Sequence, residues 1–483
     1  MVAWLRPVLW NCPKVQKPNS KLSTPVGLGE GEGQHMVIDR KKIIRDLGGG
    51  LILRQATLED TQALVDFNSH IHYDGEDGKL DERVGAWTRD LMELPHPTFQ
   101  VSDFTVVEDT TSRAIVSTMN LISQNWTYAG IPVKVGRPEL VGTAPEYRNR
   151  GLVRAQFEVI HQWSLEREEI IQAITGIPYY YRIFGYEMAL SLGGGRAGFK
   201  PHIPKLKEAE TEPYIIRPAT EMDIQFISGL YEQSSSRYLV SCVWDDDLWR
   251  YELTGKSEKN VNRGELRIIE TPEGEPVGFF AHPFFRWGSM MPATAYEVIQ
   301  GISWSAVTPT VIRYLQSAGE QYPVDYGQDT FESFGFWLGS DHPVYQVLRD
   351  QLPRVRQPYA WYIRIADLKA FITHIAPALE GRLAGSTFAG HSGEVKISFY
   401  RSGLKMSFES GRLVQVEDWK PGPKAFSGNA VFPDLTFLKL VFGYRSLDEL
   451  KFAFPDCITG SDGDHALLDI LFPKQNSSVW PVS

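Results

Sequence analysis

Cysteine is scarce: Cys12, Cys242 and Cys457 are the only three in 483 residues, and no two form a CxxC pair. An odd, widely spaced set excludes a disulfide framework and a cysteine-based zinc site, and fits a reducing cytoplasm. Long apolar runs are missing as well, since none approaches the roughly 20 residues of a membrane span. The apolar start from Met1 to Trp10 lacks a cleavage-site pattern and reads as a weak secretory signal at best. There is no basic surplus, with 49 Lys+Arg against 59 Asp+Glu for a formal charge of −10. A general nucleic-acid binder needs a basic face for phosphate contacts, so that class is excluded, as is a membrane partner. An acidic balance is compatible with a cationic small molecule. What remains is ordinary globular composition, 42% hydrophobic and 22% charged. The length suits roughly three domains of about 150 residues.

Residues 1–47 read as a flexible tail. Pro13, Pro18, Pro25 and the glycine-rich Gly27–Gly33 show no sustained period. Beyond it the chain echoes itself. Leu51-Ile52-Leu53-Arg54-Gln55-Ala56-Thr57-Leu58-Glu59-Asp60 returns 163 positions later as Tyr214-Ile215-Ile216-Arg217-Pro218-Ala219-Thr220-Glu221-Met222-Asp223. Each copy reads as a short strand entering a helix, with Thr57 and Thr220 as N-caps and Asp60 and Asp223 three positions on, much as in a capping box. Two such openings imply two similar α+β units. Strands are expected at 104–108 and 114–121 and a helix from Leu152 through Arg167, with a matching pair of strands at 265–270 and 276–280 in the second copy. The last 115 or so residues differ: short alternating strands at 395–400, 404–408 and 413–416 make a β-meander, and helical segments follow at 435–442, 446–454 and 465–472.

One segment carries chemistry. Glu139 to Val153 reads as a strand, a turn and a helix start, and Arg148-x-x-Gly151 falls at the helix entrance. Unpaired amides and the helix dipole favour an anion there, glycine admits a phosphate close to the backbone, and Arg148 and Arg150 add positive charge. A plain turn with two solvated arginines is the competing reading of this segment alone. Thirty residues past the glycine comes Tyr181, in Tyr179-Tyr180-Tyr181-Arg182-Ile183-Phe184-Gly185-Tyr186.

This order resembles the GNAT superfamily of acyl-CoA N-acyltransferases. There, an Arg/Gln-x-x-Gly-x-Gly/Ala loop receives the CoA pyrophosphate, and a Tyr-x-x-x-Gly-aromatic run supplies a tyrosine beside the thioester sulfur. Val153 stands where the family has a small residue. The resemblance implies that acetyl-CoA is the co-substrate, held by Val141, Gly142, Thr143, Arg148, Asn149, Arg150, Gly151, Leu152, Val153, Arg154, Gly176 and Ile177. It implies Tyr181 as the general acid and requires no metal.

From about residue 48 to the end, the layout resembles the enhanced intracellular survival (Eis) family: two tandem GNAT-like mixed-sheet domains, then a sterol-carrier-protein-like α/β domain. The resemblance implies boundaries at 48–205, 206–368 and 369–483. It implies a degenerate second unit, since no pyrophosphate loop precedes Gly339–Tyr345, where Tyr345 stands in the place of Tyr181. It also implies an amine-bearing small-molecule or lysine-type acceptor, a homo-oligomer (the hexamer being the family's form), and the terminal α-carboxylate of Ser483 as base. The family's last residue is bulky, whereas Ser483 is small. A non-catalytic lipid-carrier or assembly protein that retains the fold is the alternative, and longer acyl donors remain open.

Three further features have blander readings. His70-x-His72-x-Asp74 has the spacing of a metal site but reads as loop residues. The acidic runs 74–77 and 244–247 read as surface loops more readily than as a cation-attracting pocket. The aromatics of the last domain suit a core as well as a lipid cavity.

Overall fold

The computed structural model describes residues 42–73, 79–325, 330–422 and 428–483. Cys12, the apolar start, most of the expected tail and the acidic run 74–77 lie outside them.

The architecture is α+β. The first region begins with β1 (Ile43–Gly48), β2 (Leu51–Gln55), α1 (Thr61–Ile71), α2 (Glu82–Glu93), β3 (Phe104–Asp109), β4 (Ile115–Tyr128) and β5 (Ile131–Thr143). It continues with α3 (Leu152–Glu166), β6 (Ile171–Ile174), β7 (Glu187–Leu192) and β8 (Gly195–Phe199). The sequence reading ended the fourth strand at Leu121, where Ser123, Gln124 and Asn125 interrupt the apolar pattern. The strand instead runs on to Tyr128 and turns through Ala129 and Gly130, both at positive φ, into β5. That two-residue turn matches the twist of its flanking strands. Gln124 is tolerated because it is fully bonded, accepting from Trp126 Nε1 at 3.0 Å and donating to the Val482 carbonyl at 2.8 Å.

The echoed segments explain themselves in three dimensions. Asp60 reaches back to the Thr57 amide at 2.8 Å and takes both terminal nitrogens of Arg54, whose Nε meets Glu108 at 2.7 Å. Asp223, Thr220, Arg217 and Glu270 repeat the pattern. The arginine therefore ties strand, cap and neighbouring strand together in both copies.

The second region contains β9 (Ile215–Pro218), α4 (Ile224–Ser235), β10 (Val240–Cys242), α5 (Asp246–Arg250), β11 (Gly264–Glu270), β12 (Pro276–Pro283), β13 (Met290–Ala293) and β14 (Ala295–Val298). Then come α6 (Trp304–Gln321), β15 (Ser333–Phe336), α7 (Val344–Val347), β16 (Arg354–Arg356) and β17 (Tyr359–Ile365). Its strands form two four-stranded sheets, β14-β12-β11-β9 and β13-β15-β8-β16. The first region's sheet runs β1-β2-β3-β4-β5-β6-β17-β7, with β10 beside β4. The two regions thus exchange strands. β17, from the end of the second, lies antiparallel between β6 and β7, while β8, from the end of the first, lies antiparallel between β15 and β16.

The C-terminal region has a five-stranded sheet whose meander is Gly393–Ser398, Gly403–Glu409 and Arg412–Asp418. Its first strand stops two residues short of the expected Tyr400, which sits in a turn at φ 65°. Helices fall at Phe437–Val441, Leu447–Ala453 and Asp462–Leu471, close to expectation. The Tyr128 hydroxyl donates to the Val441 carbonyl at 2.6 Å, and its ring meets Phe371 and Phe442 edge-on. One apolar core therefore runs from the first sheet into the last region.

Candidate active site

The first sheet opens at its centre. β5 and β6 are parallel but pair only at Val135–Ile171 and Gly136–Gln172, after which they diverge. Beside the opening, the register of β5 against β4 slips between Thr118 and Asn120, and Leu140 adopts φ 50°. A non-glycine residue in that conformation marks a β-bulge held by its surroundings. Thr118 Oγ1 secures it, donating to the Leu140 carbonyl at 2.8 Å. Val141, Gly142 and Thr143 follow the bulge along one wall of the opening. Gly142 has no room for a side chain, because a Cβ there would stand 2.7 Å from Ile71 Cγ2 on α1.

From Thr143 the chain enters a loop in which Asn149 and Gly151 have φ 64° and 78°. Gly151 is the N-cap of α3 and offers no side chain to its first amides. Open space surrounds Gly151 where a Cβ would be. Arg148, Asn149 and Arg150 are exposed, with Arg148 Nε 3.3 Å from the Thr143 carbonyl and Arg150 stacked on the Tyr147 ring. Leu152 turns into the core, Val153 packs at the aromatic cluster below the helix, and Arg154 lies over the Phe184 ring. The predicted anion cradle is therefore an uncapped 15-residue helix start flanked by three arginines, with no acid in its first turn. Such an end favours negative charge.

Gly176 and Ile177 follow β6 and lead to Tyr181. Gly176 is buried at φ 137°, Ile177 is exposed, and Tyr179 adopts φ 66°. The irregular loop is pinned by the exchanged strand: the Tyr362 hydroxyl on β17 accepts from the Tyr179 amide and lies 3.4 Å from the Ile177 carbonyl. Tyr181 is buried in a cluster containing Ile174, Phe157, Tyr186 and Tyr362, its ring edge-on to Phe157 and Tyr362, and Val141 packs against the same cluster. Among the described residues its hydroxyl takes no hydrogen-bond partner. Burial raises the phenol well above the usual tyrosine range, and the charge of Glu139 adds to this. The group stays protonated at neutral pH.

The chain end enters the same neighbourhood. Residues 476–478 run beside β10, with the Leu239 amide donating to the Asn476 carbonyl at 2.8 Å and the Ser478 amide to the Val240 carbonyl at 2.9 Å. Trp480 packs among Tyr231, Trp244 and Trp249, and its carbonyl accepts from Trp244 Nε1. The Val482 carbonyl is held by Gln124 and by Arg137 Nη1 at 2.6 Å, and Ser483 is buried. Ser483 and Arg137 line a cavity of about 160 Å³ between the first sheet, the second region and the tail.

Arg137 and Glu139 link this cavity to Tyr181. They form a buried ion pair at 2.6 Å on the stretch of β5 beyond the split. Motif reading passed over both. The available signal was a pair of charges two positions apart, on one face of an otherwise apolar strand. Gln124 and Tyr362 carried no local signal, since their roles depend on chain hundreds of residues away.

The blander features also find places. His72 is half-buried, and desolvation lowers its imidazole to about 4, while Asp74 lies outside the described residues. Among the described residues no three His, Cys, Asp or Glu side chains gather to hold a metal. In the run 244–247, Asp245 caps α5 through the Leu248 amide and Asp247 pairs with Arg250. Among the described residues no helix is long and apolar enough to cross a membrane.

A family model described as an acetyltransferase (GNAT) domain matches residues 54–189, the stretch that holds the split, the loop, α3 and Tyr181. No curated protein matches the chain by sequence. Among solved structures, the chain is similar to a conserved protein of Enterococcus faecalis V583 described as a probable N-acyltransferase, at 13% identity and TM-score 0.62, covering 90% of this chain and all of that one. It is similar to a GCN5-related N-acetyltransferase of Anabaena variabilis at 14% identity and TM-score 0.59, covering 89% and 99%. Eis1 from Mycobacterium abscessus matches at 12% identity and TM-score 0.55, again over 89% and 99%. At these identities the likeness is one of fold, and it extends over nearly the whole of each chain.

Proposed function

We propose that the chain is an acetyl-CoA-dependent N-acetyltransferase acting on a primary amine. The observation that carries this reading is the conjunction at one opening: a bulged strand edge, an uncapped helix start ringed by arginines, and a protonated phenol whose hydroxyl has no partner among the described residues. Those features fit an acyl-CoA. The amides and arginines of 148–154 suit its pyrophosphate, and the edge at Val141–Thr143 suits its amide-bearing arm. An acyl-CoA supplies an activated thioester carbonyl.

The remaining work falls to the chain. The amine loses one proton and forms a C–N bond as the C–S bond breaks, giving an amide and a thiol. Backbone donors along Val141–Thr143 would steady the oxygen on which charge gathers. Tyr181 would return a proton to the leaving sulfur. The α-carboxylate at Ser483 would take the proton from the amine, held in position through the Val482 carbonyl by Gln124 and Arg137.

The second region, in this reading, is a degenerate GNAT-like partner. The last region is a sterol-carrier-like domain that delivers the tail. The buried free thiols of Cys242 and Cys457 suit a cytoplasmic setting, and a homo-oligomer, in hexamer form, accompanies the Eis-like layout.

Calorimetric titration with acetyl-CoA tests the core of the proposal, and absence of binding would remove it. Extending the chain beyond Ser483 tests the base: a few added residues should cut turnover at least tenfold, and full activity would discard that role.

A further inference from the structure

The walls of the 160 Å³ cavity hold more charge than they present. Arg137 is paired with Glu139, and Arg263 with Glu265 at 3.1 Å. Glu252 is paired with Lys256, both nearly inaccessible. Glu297 meets Arg237 and lies 3.4 Å from His342 Nε2. Each charged side chain on the lining is thus met by a neighbour of the protein's own, and the α-carboxylate of Ser483 adds one further negative charge. Between them stand aromatic faces: Phe279, Tyr231, Tyr296, Trp337 and Trp480. They are braced from behind; Trp480 contacts Tyr231 and two other tryptophans, and Tyr296 stacks near Phe336.

A polyamine or other polycation entering such a space would bring several charges where side chains leave no spare carboxylate, and each unpaired buried charge is costly. One ammonium beside aromatic faces is tolerated through cation–π attraction.

We infer that the acceptor is a small monoamine bearing one aromatic ring, its single ammonium set beside the Ser483 carboxylate in this ring-lined cavity. This rests on the acyl-transfer reading above and names its substrate class.

The test is calorimetric titration of the full chain, with and without CoA, using 2-phenylethylamine, n-butylamine and spermidine. 2-Phenylethylamine should bind at least tenfold more tightly than either of the others, with less than a twofold change between 50 and 500 mM NaCl, because salt screens a buried charge pair little. Trp480→Ala should weaken it at least tenfold, and Trp337→Leu serves if the first variant fails to fold. Spermidine binding as tightly as the aromatic amine, a steep salt dependence, or no binding of the aromatic amine would each overturn the inference. The acetyl-CoA titration separates the two claims. Loss of CoA binding with retained ring-amine preference removes the acyl-transfer reading alone, and the reverse outcome removes this one alone.

Discussion

Tyr181 and Tyr345, the tyrosines that the resemblance sets in like places of the two echoing regions, have hydroxyls of opposite fates. The Tyr345 hydroxyl donates to the Phe336 carbonyl at 2.9 Å, has the Gly339 carbonyl at 3.1 Å, and accepts from the Leu338 amide at 3.3 Å. It closes a backbone turn. The Tyr181 hydroxyl has no such partner among the described residues, and its ring borders a split between strands. Neither helix entrance has a side-chain cap, but the two differ in what surrounds them. α3 starts bare beside Arg148, Arg150 and Arg154, whereas the first residue of α6, Trp304, packs against Tyr296 and His342. One region leaves its phenol unspent at an opening, and the other spends its own on the backbone. Unspent groups mark a site because folding gains nothing from leaving them so.

The sharpest way to break this comparison is at the arginines that both regions share. Arg54 is 1% exposed between Asp60 and Glu108, so Arg54→Ala should cost about 3–5 kcal/mol by leaving buried carboxylates unpaired. Arg217 is 34% exposed, and Arg217→Ala should cost roughly 1 kcal/mol. Denaturant titration of both variants measures the gap, and equal losses would show that burial does not set it.

Next come the tyrosines. Tyr181→Phe should lower kcat about 100-fold or more with KM for acetyl-CoA changed little, as expected for a lost proton donor. Tyr345→Phe should leave kcat nearly intact and cost about 1–3 kcal/mol in stability, because its backbone partners lose their bonds. Steady-state kinetics beside thermal melts would distinguish the two.

At the helix entrances, Gly151→Val combines a positive φ of 78° with a branched side chain beside the free amides. Acetyl-CoA affinity should fall about tenfold. Ser303, the N-cap of α6, makes no capping bond to the helix amides, so Ser303→Ala should move stability by less than about 0.5 kcal/mol, below the usual cost of a lost cap.

The smallest effect concerns acid. Burial lowers the imidazoles of His161 in the first region and His282 in the second from 6.5 to about 3. Both are neutral on either side of the folding equilibrium above pH 6.5. Below it the unfolded chain takes up protons that the folded chain refuses, so stability is complete above about 6.5 and is lost as pH falls toward about 3. Replacing either histidine with Gln should flatten the decline of melting temperature between pH 6.5 and 5 by a similar amount. Unequal flattening would separate the regions.

Local signals proved legible and distant ones did not. The Arg148-x-x-Gly151 turn and the start of α3 were visible because each depends on residues a few positions apart. The threonine–aspartate caps were visible for the same reason, although the arginine in that echo has a use that only the folded sheet reveals. The length of β4 was missed because its polar stretch is satisfied by Val482, more than 350 residues on. Arg137 and Glu139 looked like ordinary strand alternation until the split and the tail gave them an address. The pairing of β17 with β6 left no trace in sequence pattern, since an apolar strand does not announce its partner.

The exchange of β8 and β17 has a consequence for how the molecule comes into being. The part of the chain synthesised first cannot close its own sheet, because the strand between β6 and β7 ends at Ile365 and emerges from the ribosome long after Leu192. The loop before Tyr181 likewise waits for Tyr362 on that strand. An incomplete product would therefore hold a gap where its central seam belongs. Assembly has to run backwards along the message, with the opening half finished by its successor.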